Sequence, residues 1–192
     1  MKAANATSRK RPTRRPIVPT QQAAERIALR YLERFDASSA RLRSVVLRAL
    51  LRQSAGLSSE QAPSREQLEE WVDALVQRYR RSGLVDDSRF AANLARSLRE
   101  RGASRRQILL KLSLKGVEPA MAEAAVAELD GEQQEDAEWL AARRYVRRRR
   151  LGAYRSSADR EQHRQRDLAA LARAGFSFEV ARRALETPVD GA

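Results

Sequence analysis

The chain's apolar residues recur at intervals of three and four, in short runs that repeatedly stop at a glycine, and this alone rules out most architectures. Ala24, Ile27, Ala28, Tyr31, Leu32 and Phe35 fall on one stripe of a 3.6-residue period. Leu42, Val45, Val46, Ala49 and Leu50 repeat the pattern behind Ser38 or Ser39, either of which can serve as N-cap. After the loop QSAGLSSEQAPS (53–64), Ser64 and Gln67 have capping-box spacing and precede Leu68, Trp71, Val72, Leu75, Val76 and Tyr79, with Gly83 as the stop. Asp86 or Asp87 opens a fourth stripe of Phe90, Ala91, Leu94, Ala95 and Leu98, which Gly102 ends. Ser104 and Gln107 form a second capping-box pair before RQILLKLSLK, a short segment apolar on nearly all sides and expected to be the most buried. Gly116, Pro119 and Gly131 frame a sixth helix. Three more are expected over 133–150, ending before Gly152, over 158–174, ending at Gly175, and from Ser177 to Pro188. No segment alternates with period two, so the expected class is all-α.

The stops also repeat. A shift of 59 residues brings Leu112 onto Leu171, Gly116 onto Gly175, Val117 onto Phe176, Met121 onto Val180 and Val126 onto Leu185. Equal chemistry at two helix ends predicts equal local geometry, and units of this size stack as quasi-linear arrays. The expectation is three tandem three-helix repeats in an elongated array, over residues 23–84, 85–131 and 132–187. A disordered basic tail over 1–22 and a short C-terminal tail over 188–192 flank them. With 5% aromatic and 33% charged residues among 192, many thin helices suit the composition better than one thick core.

Charge narrows the partners. The net charge is +13, and almost all of the basic residues are arginine. Residues 139–183 hold thirteen arginines against four acids, and residues 1–22 hold six basic residues and no acid, whereas 132–138 (EQQEDAE) is acidic. A polyanion is the natural counterpart: DNA, RNA, an acidic protein groove or an anionic surface. The absence of cysteine excludes disulfides and thiolate metal sites. No apolar run is long enough to span a bilayer. Pro12, Pro16 and Pro19 break any amphipathic transit helix in the basic N-terminus. A soluble cytoplasmic monomer with no cofactor is expected.

YVRRRRLGAY (145–154) is the densest cationic stretch. Trp139, Ala142 and Val146 share a face, with Arg143, Arg147 and Arg150 on its flank and Arg144 and Arg148 opposite, so the run suits an amphipathic helix. Arg155, Arg160, Arg164 and Arg166 would extend the patch. Guanidinium groups give bidentate contacts to phosphate and carboxylate alike, so the run does not separate DNA from an acidic protein. A charge run is more often only a solvated face, but the local surplus of arginine favours a binding role. Asp86 and Asp87 read as caps rather than metal ligands. Trp71, Tyr79, Phe90 and Trp139 read as core. Tyr145 and Tyr154 stay open between base stacking and packing. His163, the only histidine, lacks co-ligands and reads as a surface residue. No phosphate loop, metal cluster or nucleophile–base pair is present, so an enzyme is not expected.

GLVDDSRFAANLARSLRERGASRRQILLKLSLKGV (83–117), with its Gly-Leu-x-Asp-Asp-x-x-Phe-Ala opening, Arg-Gly turn and Lys-Gly-Val ending, resembles the RecX family of recombinase regulators. AARRYVRRRRLG followed by LAALARAGFSFEVARRAL (141–185) resembles the C-terminal part of the same family. The likeness covers about residues 24–186; the 53–64 loop stands where the family has a short turn. The resemblance implies three tandem three-helix repeats, a cytoplasmic protein without a catalytic centre, and binding to RecA. The RecA filament on single-stranded DNA is its expected form, and the implied outcome is restraint of ATPase, strand-exchange and co-protease activities in DNA repair and the SOS response. A stand-alone, sequence-nonspecific DNA- or RNA-binding helical protein is the alternative, supported by charge only. Direct contact with DNA, if made, is expected to be weak.

Overall fold

The computed structural model describes residues 17–58, 60–132 and 134–188; the expected tail residues 1–16 and 189–192 lie outside them. The described residues form nine α-helices and one short 3-10 turn, Gly152–Tyr154, with no strand. The helices are α1 Gln21–Leu32, α2 Ser39–Ser54, α3 Arg65–Arg81, α4 Asp87–Glu100, α5 Arg105–Leu114, α6 Pro119–Asp130, α7 Gln134–Arg149, α8 Ser157–Arg173 and α9 Phe178–Glu186.

Their starts follow local side-chain chemistry. Thr20, Ser38, Ser64, Asp86, Ser104, Ser156 and Ser177 each accept a backbone N–H two or three residues into their helix. Ser38 rather than Ser39 caps α2, and Asp86 rather than Asp87 caps α4. At Ser64 both halves of the capping box form; at Ser104 the Gln107 N–H donates to the hydroxyl without the reciprocal bond among the described residues. Residues 17–22, expected within the tail, belong to the folded first trio. The Ile17 N–H donates to the Gln53 carbonyl at 3.0 Å, and Pro19 is fully buried.

Four helix ends share one geometry. The N–H groups of Ala103, Val117, Leu151 and Phe176 reach back five residues to the carbonyls of Leu98, Leu112, Val146 and Leu171 at 3.0–3.1 Å, closing the turn with one residue in the left-handed region. That residue is Gly102, Gly116 or Gly175 in three cases and Arg150, at φ 53°, in the fourth. The stop of α7 is therefore Arg150 and not Gly152, although a side chain at this conformation costs about 1–2 kcal/mol. Gly152 serves packing instead: a Cβ there would lie 2.8 Å from the Leu185 carbonyl oxygen.

Each trio of helices closes its own core. Leu42, Val46, Leu50, Leu68 and Val72 fill the first, between α1, α2 and α3. Phe90, Ala91, Ala95, Ile108, Leu112 and Val126 fill the second, and Ala141, Ala142, Val146, Leu171 and Ala184 the third. The main helix packings follow chain order, so the trios stack as a linear, elongated array. The 59-residue correspondence holds in space: Leu112 and Leu171 are fully buried, Val117 and Phe176 are buried, and Met121 and Val180 are both half-buried. The expectation for α5 needs correction. Only Ile108 and Leu112 are buried, whereas Leu110 and Leu114 are 57% and 70% exposed. A ten-residue helix leans on its trio along one side, and an apolar far side does not change that.

Candidate functional site

The third trio carries the arginines, and the joints between trios determine how firmly it is held. Both joints use the same clamp. At the first, the Ser38 hydroxyl donates to the Lys115 carbonyl at the end of α5, and the Ser39 N–H donates to Asp87 at 2.7 Å. At the second, the Ser104 hydroxyl donates to the Ala174 carbonyl at the end of α8 at 2.6 Å, and the Arg105 N–H donates to Glu138 at 3.0 Å. A fully buried N-cap serine thus accepts from its own helix and donates to the next trio. An acidic residue of the next trio's first helix satisfies a second free N–H of the same helix start. Asp87, expected as a cap of its own helix, caps α2 of the preceding trio. The turn glycines make room: a Cβ at Gly116 would collide with Ala40, and one at Gly175 would lie 2.7 Å from the Ser104 hydroxyl.

The second joint adds a buried ion network. Arg99, 6% exposed, makes a bidentate pair with Asp130, with its Nε donating to Oδ1 at 3.0 Å. Its Nη1 donates to the Ala103 carbonyl at 3.0 Å and to Glu138 at 2.6 Å. Arg144 donates to the Arg99 carbonyl at 3.4 Å. Helix α7 crosses the α4 end so closely that a Cβ on Gly102 would lie 2.7 Å from the Tyr145 nitrogen and 2.8 Å from the Ala141 oxygen.

Within the third trio, Asp167 on α8 is the buried anchor, 1% exposed. It accepts from Arg155 Nε and Nη2, both at 2.8 Å, and from the Gly152 N–H at 2.9 Å. Burial works against its charge, but the bonds from Arg155 and Gly152 outweigh it and hold the carboxyl below the usual aspartate range. The same Asp167 hydrogen bond raises the Arg155 guanidinium.

The nine arginines singled out from the sequence do not share one surface. Arg148, Arg155 and Arg166 line a concavity of about 590 Å³ whose rim also holds Gln107, Tyr145, Leu151, Arg149 and Arg173. Arg160 and Arg164 line a second concavity of about 430 Å³ with Glu161, Leu185 and Glu186. There Arg164 pairs with Glu186 at 2.8 Å, and Arg160 donates to the Ala153 and Arg155 carbonyls. Arg143 donates to the Thr187 and Pro188 carbonyls at the end of α9. Arg144 faces the second joint, and Arg147 and Arg150 are exposed. Arg155 is spent on Asp167.

Two residues of the first concavity, Arg149 and Arg173, were missed. Arg149 sits inside the quoted run, and Arg173 lies seven residues beyond Arg166 on the same helical face, so spacing alone could have flagged both. Tyr145 resolves as core. It is 9% exposed, packs edge-on against Phe176 at 5.9 Å, and carries the Arg148 and Arg149 guanidiniums 5.8 and 5.7 Å from its ring centre. Trp139 is half-buried beneath Arg183, 4.5 Å from the ring centre. Among the described residues there is no group of three or more His, Asp or Glu placed to hold a metal ion, and no helix is long and apolar enough to cross a membrane.

Residues 86–126, nearly all of the second trio, match the family model described as RecX, second three-helix domain. The regulatory protein RecX of Myxococcus xanthus is 40% identical over 179 residues, covering 93% of this chain and 90% of that protein. The regulatory protein RecX of Streptomyces coelicolor is 36% identical over 134 residues, covering 67% of this chain and 68% of that one. The crystal structure of RecX from Lactobacillus salivarius superposes with a TM-score of 0.56 at 16% identity, covering 86% of this chain and 94% of that one, a likeness of fold. Spanning nearly the whole of a 40%-identical relative, the chain belongs to the RecX family of regulatory proteins.

Proposed function

We propose that this protein binds RecA, as the filament on single-stranded DNA, and restrains its ATPase, strand-exchange and co-protease activities without any catalytic chemistry of its own. The observation that carries this reading is the family membership, which joins the chain to proteins named as regulators. Supporting it is a rod of three stacked trios whose last unit displays exposed arginines on a firmly clamped frame. A rigid cationic rod can lie along a helical filament and meet several subunits at once. The protein acts on this reading as a cytoplasmic monomer.

The test is a titration of RecA's DNA-dependent ATPase on single-stranded DNA, beside direct binding to the same naked DNA. Inhibition is expected at protein concentrations well below those that coat the DNA. Equal inhibition of an unrelated DNA-dependent ATPase would indicate simple competition for the strand and would overturn the reading in favour of a stand-alone nucleic-acid binder.

A further inference from the structure

We infer that the concavity between the second and third trios is a docking site for the phosphodiester backbone of a single-stranded nucleic acid, held by Arg148, Arg149, Arg166 and Arg173. This deepens the filament reading by assigning the strand's side of that contact. Strand binding is measured without RecA and RecA inhibition is read separately, so the two ideas fail separately.

The charge balance points to an anion. Arg148 and Arg149 come from the last turn of α7, and Arg166 and Arg173 from one face of α8. All four are exposed, and none forms an ion pair within the described residues. The one carboxylate in the concavity, Asp167, is already satisfied by Arg155 and the Gly152 N–H, so it offsets none of these four. The neighbouring concavity behaves differently, because Glu161 and Glu186 balance Arg160 and Arg164. Surplus guanidinium thus collects in one recess, at about 590 Å³ larger than a single phosphate needs.

Two features favour a nucleic-acid backbone over an acidic protein segment. A protein docking site usually needs an apolar or aromatic anchor in a pocket. Here the one aromatic ring, Tyr145, is sealed beneath Arg148 and Arg149, and the remaining apolar lining is Leu151 with two alanines. Phosphates need only spaced cations. The sealed tyrosine also leaves no ring here for base stacking, so recognition is of the backbone and indifferent to sequence. A flexible single strand can fold successive phosphates into a recess of this size, whereas a duplex presents only one edge to it.

The experiment is fluorescence anisotropy of the full chain with a labelled oligothymidylate, titrated between about 50 and 200 mM salt. Three proteins are compared: wild type, Arg149→Gln with Arg166→Gln and Arg173→Gln, and a charge-matched control with Arg26→Gln, Arg30→Gln and Arg52→Gln on the first trio. The concavity variant should bind about tenfold or more weakly, and its log–log salt slope should flatten by about 2, near 0.7 for each lost phosphate contact. The control should stay close to wild type. Circular dichroism melts confirm folding, and the three single substitutions, each flattening the slope by about 0.7, serve if the triple variant is unstable. Equal weakening of the control would reduce the site to diffuse charge and overturn the proposal, as would an unchanged slope in the concavity variant. A duplex that binds as tightly as the single strand and is equally sensitive to the variant would refute the single-strand assignment. Loss of RecA inhibition with strand affinity intact would place a protein partner in the recess and sink it too.

Discussion

The two joints between trios share a clamp and differ in everything beneath it. At the first, the serine hydroxyl and the Asp87 carboxylate make the contact, with a long Arg80–Asp87 pair at 3.9 Å and an Asn93–Asp36 contact at 3.5 Å at its edge. At the second, the same clamp sits over the Arg99–Asp130–Glu138 network and over a glycine pressed against the α7 backbone. Breaking a fully buried pair leaves an uncompensated charge, whereas losing a half-buried carboxylate whose cationic neighbour is exposed costs less. The teaching is that a repeat array can keep one connector and vary its stiffness by what lies below. Here the arginine-bearing trio is joined to the middle trio more firmly than the first trio is.

Removing Arg99 attacks that difference directly. Arg99→Ala strands Asp130 and Glu138 and should lower unfolding stability by about 3–5 kcal/mol. Asp87→Ala at the first joint should cost only about 1 kcal/mol. Urea denaturation of both variants measures this, and equal losses would mean that the two joints are held equally firmly.

Next comes the glycine contact. Gly102→Ala drives a methyl into the α7 backbone in addition to straining the turn, for a loss of about 2–4 kcal/mol. Gly83→Ala, at nearly the same φ but with nothing within 4 Å, should lose only about 1 kcal/mol of backbone strain. Thermal melts of the pair separate the steric part from the conformational part.

A smaller effect concerns the buried carboxylate inside the third trio. The folded Asp167 carboxyl titrates below its ordinary value of 3.8. The unfolded chain therefore binds the proton first on acidification. The stabilisation is complete above the ordinary aspartate range and is lost as pH falls through the folded value. Asp167→Asn leaves behind Arg155, which is partly exposed and still reachable by water, so it should lose only about 1–2 kcal/mol at neutral pH and show a shallower decline on the acid side. A parallel acid limb in wild type and variant, from denaturation at several pH values, would assign the acid sensitivity elsewhere.

What could be read from the sequence was whatever a helix end decides locally. Ser64 with Gln67, Pro119 at the start of α6, Ser177, and the glycines at 102, 116 and 175 all announce themselves within five residues, because capping and left-handed turns are short-range chemistry. The 59-residue echo followed from the same signals. Partners distant in sequence stayed hidden. Arg99 looks like any helical arginine until Asp130 and Glu138, 31 and 39 residues on, close around it. Asp87 looks like a cap for its own helix because its true recipient, the Ser39 N–H, is 48 residues back. Arg150 gave no warning, since arginine, unlike glycine or asparagine, does not signal a positive φ. The arginine patch was half legible: composition located it in the third trio, but only folding shows which guanidiniums Asp167, Glu186 and the α9 carbonyls already occupy.

The Tyr145 ring beneath Arg148 and Arg149 has a kinetic consequence. Long cationic side chains ordinarily sample many rotamers, and that freedom must be surrendered when a partner arrives. A ring face that already attracts two guanidinium groups narrows their wandering beforehand, so less entropy is lost on capture. For the strand binding proposed above, replacing this tyrosine with leucine would therefore chiefly hasten release while leaving the net charge untouched.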